Sequence, residues 1–273
     1  MSISETEAIV LRTYNLAEAD KIVVCLTRHA GLIRAVARGA RRLKSRFGAS
    51  LEPFTWLLIN YYEKEGRELV SLRQAEIQRS FFALASDAQV LATCAAMSEL
   101  ILEFAPPHEP NEKLFRMLKS CLMTIANDGA PSAEVTANYF KLWLLKLSGF
   151  LPETKSCADC RRRFNEHEKV YLNAEGRFRC ADCSQRVGVV LSAEAYAELR
   201  AALRLAPQEY AARPHELAAQ QEIAALLEKL IERVLERALR REPDYARGKS
   251  KIEATRKRLT EGQRADANGR QID

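Results

Sequence analysis

The sequence predicts an α+β chain: a five-stranded β-barrel at the N-terminus, then an all-α domain interrupted by an inserted cysteine knuckle. Three observations carry this expectation. Residues 1–80 hold five short runs of strand-forming residues. From Ser86 onward the apolar period becomes helical. Four of the seven cysteines fall into two C-x-x-C pairs between Cys157 and Cys183.

The strand runs are EAIVLRT from Glu7, KIVVCLT from Lys21, GLIRAVAR from Gly31, FTWLLINYY from Phe54 and ELVSLR from Glu68. Turn material separates them: Asn15 to Asp20, His29 to Gly31, a basic stretch after Arg38, and Glu63 to Arg67. An OB-type barrel is the five-stranded architecture that so short a β segment suits.

The first helical stripe runs through Val90, Cys94, Met97, Ile101 and Phe104 and stops at Pro106-Pro107. A second holds Leu114, Leu118, Cys121 and Ile125 and closes at Gly129. A third, with Ser132 as its expected cap, carries Val135, Tyr139, Leu142 and Trp143. Ser192 caps a fourth, and Ile223 to Ala238 mark a long fifth. Such stripes are core faces. From Arg240 to Asp273 there are ten basic and six acidic residues and few large apolar ones. A segment of this kind builds no core and is expected to be mobile. The expected organisation is thus a barrel at 1–80, a helical domain at 81–239 with an insertion at 153–188, and a polar tail at 240–273.

No stretch approaches the roughly 20 apolar residues of a membrane span. The polar, acidic start lacks the pattern of a secretory signal, so a reducing cytosol is expected. The net charge is +6, from 42 Lys and Arg against 36 Asp and Glu. The segment RAVARGARRLKSR supplies that whole surplus through Arg34, Arg38, Arg41, Arg42, Lys44 and Arg46, with no acid among them. A positive field gathered in one place favours a polyanion, and arginines spaced along a strand and loop suit a phosphate backbone better than base edges. Phe47, Phe54, Trp56, Tyr61 and Tyr62 follow closely. Strand alternation puts Phe54 and Trp56 on one face, and leaves open whether that face is core or lines a groove where unpaired bases stack.

Cys157-Ala-Asp-Cys160 and Cys180-Ala-Asp-Cys183 lie 19 residues apart, with a short hairpin pattern between them. Two tight turns that each aim two sulfurs at one ion complete a tetrahedron, so the spacing predicts one structural Zn²⁺ in a ribbon-like knuckle. Four thiolates fill that shell, which leaves His167 as a surface residue. Arg161, Arg162, Arg163, Arg177 and Arg179 can screen the cluster or touch nucleic acid. Cys25, Cys94 and Cys121 stand singly in apolar patterns and read as core thiols.

The run VARGARRLKSRFGASLEPFTWLLINYY, the following LRQAEI, and YFKLWLLKLSGFLPETKSCADC resemble the bacterial DNA repair family RecO across roughly residues 1 to 240. The resemblance implies a non-enzymatic recombination mediator, associated with the bacterial nucleoid, that binds single- and double-stranded DNA and anneals complementary strands. With RecR it would help load RecA onto DNA coated by single-strand-binding protein. It also implies a groove in the helical domain for that protein's acidic C-terminal tail, with Lys141 and Lys146 beside Trp143 as rim candidates. Two other classes stay in view. One is a zinc-containing OB-fold RNA-binding protein. The other is a ligase-type enzyme, which needs a nucleotide-accepting lysine motif that the sequence does not offer.

Overall fold

The computed structural model describes residues 2–16, 18–63 and 69–241. The expected tail lies outside these from residue 242 onward. The chain divides into two compact units, Met1–Glu228 and Lys229–Asp273. The account that follows concerns the first.

Strands β1 (Ser2–Leu16), β2 (Asp20–Thr27), β3 (Gly31–Ala37), β4 (Thr55–Glu63) and β5 (Leu69–Ser80) form a ring in the order β1-β2-β3-β5-β4, and β4 pairs back onto β1. All neighbours are antiparallel except β3 and β5. β1 serves two partners. Its first half pairs β4 through Ser2–Ile9, and its second half pairs β2 through Ala8–Leu16. A register shift between Val10 and Arg12 marks the bend this demands. Inward residues are apolar and often small: Ala8, Val10, Val23, Cys25, Ala35, Leu57, Ile59 and Leu72 are all buried in one cluster. On β4 the pleat sends Leu57, Ile59 and Tyr61 inward and Trp56, Leu58, Asn60 and Tyr62 outward.

A 3₁₀ turn at Phe82–Ser86 leads into α1 (Ala88–Phe104), followed by α2 (Glu112–Asp128) and α3 (Ala130–Leu147). Asp87 accepts the Gln89 and Val90 N–H groups at the start of α1, and Asn111 accepts Leu114 at the start of α2. Ser132 is not the cap of α3. That helix begins at Ala130, with Gly129 in the cap position and Pro131 in its first turn, and the Ser132 hydroxyl donates back to the Gly129 carbonyl. Val90, Cys94 and Met97 of α1 and Leu118, Cys121 and Ile125 of α2 are buried as expected. On α3 the expected Tyr139 and Leu142 are buried, Val135 and Trp143 are only partly so, and Phe140 and Leu144, outside the expected stripe, are buried as well. Burial pushes the Cys25 thiol up to about 12 and that of Cys94 up to about 11, so both are inert core groups.

Beyond the knuckle come α5 (Ala193–Ala202), α6 (Pro207–Ala211) and α7 (Leu217–Arg241); α4 (Ala181–Ser184) lies within the knuckle. Ser192 caps α5 by accepting Ala195 N–H, as expected. Tyr139 donates to the Leu205 carbonyl, and Trp143 to that of Ala202, which ties α3 to the α5–α6 region.

The barrel is joined to the helices by specific contacts. The Arg28 guanidinium reaches Glu7 at 2.7 Å and Glu112 at 2.8 Å. Leu32 bridges Pro107, and its carbonyl accepts the His108 N–H. At Gly31, φ is +66°, and a Cβ would stand 2.2 Å from the Glu109 carbonyl oxygen, so glycine is required there. Among the described residues, no helix is long and apolar enough to cross a membrane.

Candidate nucleic-acid interface and metal centre

Arg34 stands on β3. Arg38 follows the end of that strand rather than lying on it, and both are exposed. Gly39, at φ +71°, turns the chain out of the sheet, and the Asp20 carboxylate accepts its N–H at 2.8 Å. A series of tight turns follows. Arg42 donates its N–H to the Gly39 carbonyl, Ser45 to Arg42, Gly48 to Ser45 and Ser50 to Phe47, at 2.9–3.3 Å. Arg41, Arg42, Lys44 and Arg46 are exposed on this compact coil.

The coil is anchored by its own apolar residues. Phe47 and Leu51 are buried in the barrel cluster, and the Arg46 guanidinium lies 4.9 Å from the Phe47 ring centroid. Arg34 thus sits mid-strand on β3 and the other five cations of the basic stretch follow its end, with Phe47 and Leu51 fixing the coil to the core.

The aromatic residues divide in a way the alternation did not show. Phe54 precedes β4 with φ +63° and is buried, so it does not share a face with Trp56. Trp56 faces outward but donates its indole N–H to Glu7 and lies under Lys119. Tyr61 is core. Tyr62 is outward, with the Arg73 guanidinium 4.1 Å from its ring centroid. Leu43 is fully exposed on the basic coil, a position no periodicity singles out.

The second cluster lies in the insertion. Strands β6 (Val170–Leu172), β7 (Phe178–Arg179) and β8 (Val189–Leu191) make a small sheet in the order β7-β6-β8. The expected hairpin is its first pair, and β8 is an addition. One knuckle turns between Cys157 and Cys160, where Arg161 donates its N–H to the Cys157 carbonyl and Cys157 donates to Arg162. In the other, Cys180 precedes α4, which carries Cys183.

The four sulfurs lie within 4.8 Å of one another, and those of Cys160 and Cys180 are 3.9 Å apart. Sulfurs around one tetrahedral Zn²⁺ at about 2.3 Å stand roughly 3.8 Å from each other, so the four cysteines can hold a metal ion. Burial raises the Cys157 thiol, but backbone N–H groups of Cys160, Cys180 and Asp159 outweigh this and bring it down to about 6. The neighbouring sulfurs push the Cys183 thiol the other way, up to about 12, so the cluster favours charge on Cys157, and it is the thiolate form that binds a metal. Arg162 makes a bidentate pair with Glu168 at 2.8 and 3.0 Å, and Arg179 pairs with Asp159 at 2.7 Å. Two of the five nearby arginines are therefore engaged within the knuckle. His167 is exposed, as expected.

Residues 1–81 match the family model described as "Recombination protein O N terminal", and residues 85–243 match "Recombination protein O C terminal". A curated relative from Anaeromyxobacter dehalogenans (strain 2CP-1 / ATCC BAA-258), named DNA repair protein RecO, is 32% identical over 235 residues, 84% of this chain and 91% of that one. One of the same name from Koribacter versatilis (strain Ellin345) is 31% identical over 212 residues, 78% of this chain and 85% of that one.

The chain belongs to the RecO family.

Membership makes this a DNA repair and recombination protein, in agreement with the resemblance drawn from its motifs. Within this RecO-family chain, the two lysines expected at a groove rim are separated. Lys141 pairs with Glu228 and lines a cleft with Met97 and Asn138. Lys146 lies 3.9 Å from the Trp143 ring centroid and lines a different concavity, with Leu151, Phe164, Leu203 and Arg204.

Proposed function

We propose that the protein is a non-enzymatic recombination mediator that binds single- and double-stranded DNA and anneals complementary strands. With RecR it would help load RecA onto DNA coated by single-strand-binding protein. The barrel, 1–80, is the nucleic-acid module. The helical domain, 81–239, carries partner sites and a metal-stiffened insertion at 153–188. The observation that carries this reading is the exposed basic coil, with Arg34, Arg38, Arg41, Arg42, Lys44 and Arg46 displayed from a core-anchored support.

The mechanism needs no bond chemistry. Two strands repel because each carries a phosphate charge at every step, and condensed counterions are released when arginine and lysine replace them. Contacts confined to phosphates leave base edges free to pair. Cys157, Cys160, Cys180 and Cys183 would hold one Zn²⁺, which fastens the two knuckles together and takes no part in DNA chemistry. For the acidic tail of single-strand-binding protein, the concavity beside Lys146 offers apolar Leu151, Phe164 and Leu203, and its cations Lys146, Lys155, Arg163, Arg200 and Arg204 outnumber its carboxylates Glu153 and Glu166.

The test is annealing of complementary strands coated with single-strand-binding protein, without nucleotide. Acceleration by the wild type and its loss in an Arg41→Ala, Arg42→Ala, Lys44→Ala triple variant are expected. Equal acceleration by both would remove the coil from the mechanism.

A further inference from the structure

Arg73 occupies a β-bulge. Asn60 of β4 pairs with Gln74 of β5, and the next residue, Tyr61, pairs with Leu72, which leaves Arg73 as the extra residue between them. A bulge turns one side chain away from the regular pleat. Here it lays the guanidinium over the outward Tyr62 ring, 4.1 Å from its centroid. The surrounding groove, about 580 Å³, is lined among the described residues by Ile3, Arg46, Asn60, Tyr62, Arg73 and Gln74, which bring two cations and no carboxylate. Ile3 lies opposite Tyr62 in the register and is 65% exposed.

We propose that this outer face of β1, β4 and β5 is a stacking site for a nucleobase of an unpaired DNA strand. The base lies flat on the outer side of the Arg73 guanidinium, whose plane is supported from beneath by Tyr62. Arginine planes and aromatic rings both stack on bases, and they do so without regard to sequence. Ile3 supplies an apolar edge. The Asn60 and Gln74 amides can donate to or accept from a base edge. Arg46 belongs both to this groove and to the basic coil, so a strand whose phosphates run along the coil passes directly over the platform. A base-paired strand keeps its bases inside the helix and cannot use the site. The proposal rests on the DNA-binding reading of the coil and adds to it a local preference for unpaired strands.

The experiment is fluorescence anisotropy with four probes: a thymidine oligonucleotide, an abasic oligonucleotide of the same length, a duplex, and the uridine ribo-oligonucleotide. Each is titrated with wild type, Tyr62→Ala, Tyr62→Phe, Arg73→Ala and the coil triple variant. Tyr62→Ala and Arg73→Ala should weaken thymidine binding by about tenfold and leave abasic and duplex binding unchanged. Tyr62→Phe, which keeps the ring, should bind as wild type does. Equal losses on thymidine and abasic probes, or no loss on either, would overturn the stacking site. Tighter binding of the ribo-oligonucleotide than of thymidine would overturn its assignment to DNA. If instead the coil variant binds every probe normally, the DNA-binding reading itself fails. Normal circular dichroism and melting of each variant confirm that it is folded.

Discussion

Lys119 of α2 places its ammonium 3.8 Å from the centroid of the Trp56 ring on β4, and 3.3 Å from the Glu7 carboxylate that accepts the indole N–H. The tryptophan that lies nearest the basic stretch in sequence is therefore part of the joint between barrel and helices and is withdrawn from base stacking. Trp56→Ala should lower stability by roughly 2–4 kcal/mol, in keeping with loss of a large half-buried ring. It should leave thymidine affinity within about twofold of wild type once folded protein is compared. Urea unfolding and anisotropy measure the two effects, and a large affinity loss in a fully folded variant would contradict this assignment.

The same joint is sensitive to acid. Burial raises the Glu7 carboxyl, but hydrogen bonds from Arg28 and Lys119 and their charges outweigh it and hold the group below its ordinary value of 4.5. A depressed folded-state value contributes stability that is fully present above the unfolded-state value and is lost as pH falls through the folded one. The melting temperature should thus decline on acidification below about pH 4.5, and Glu7→Gln should flatten the part of that decline owed to this group. Glu112, also lowered by Arg28, and Glu168, lowered by Arg162, add to the wild-type slope. Parallel melting curves for wild type and Glu7→Gln would rule out Glu7 as a contributor.

Replacing Arg41, Arg42 and Lys44 by Ala should weaken binding to all DNA sequences alike. It should also reduce the slope of log affinity against log salt by about 2 to 3. Anisotropy at several salt concentrations gives the slope directly, and an unchanged slope would place the phosphates elsewhere.

Elemental analysis should find one zinc per chain. Cys157→Ser should lower the melting temperature, on the order of 10 °C, while DNA binding measured in the cold is retained. A metal-free preparation of equal stability would contradict the structural role.

Gly31→Ala should destabilise the chain by more than about 2 kcal/mol. It places a side chain in a left-handed backbone conformation and drives it against the Glu109 carbonyl. Urea unfolding at neutral pH measures this.

Much of the fold was legible because its signals are local. Strand alternation and helical stripes reflect burial on one face, and the C-x-x-C spacing reflects the reach of two sulfurs around a turn. What was not legible depends on partners distant in sequence. The start of β1 and the later part of β5 carry polar residues such as Glu5 and Glu76 and are strands only because β4 pairs with both. The Arg73 bulge exists only in the register between two strands. The fate of Trp56 was decided by a lysine on α2. Ser132 has the side chain of a cap, yet Gly129 closes α2 and opens α3 at once. The six cations were readable as a group, but not that Phe47 and Leu51, which follow them, would root the coil in the barrel.

That rooting has a thermodynamic consequence. A coil with Phe47 and Leu51 already seated in the core has little conformational freedom left to surrender on binding DNA. Calorimetry should therefore record association with only a small heat-capacity change, governed by ion release: the barrel offers its charges as a stiff comb, not as a whip that must be stilled.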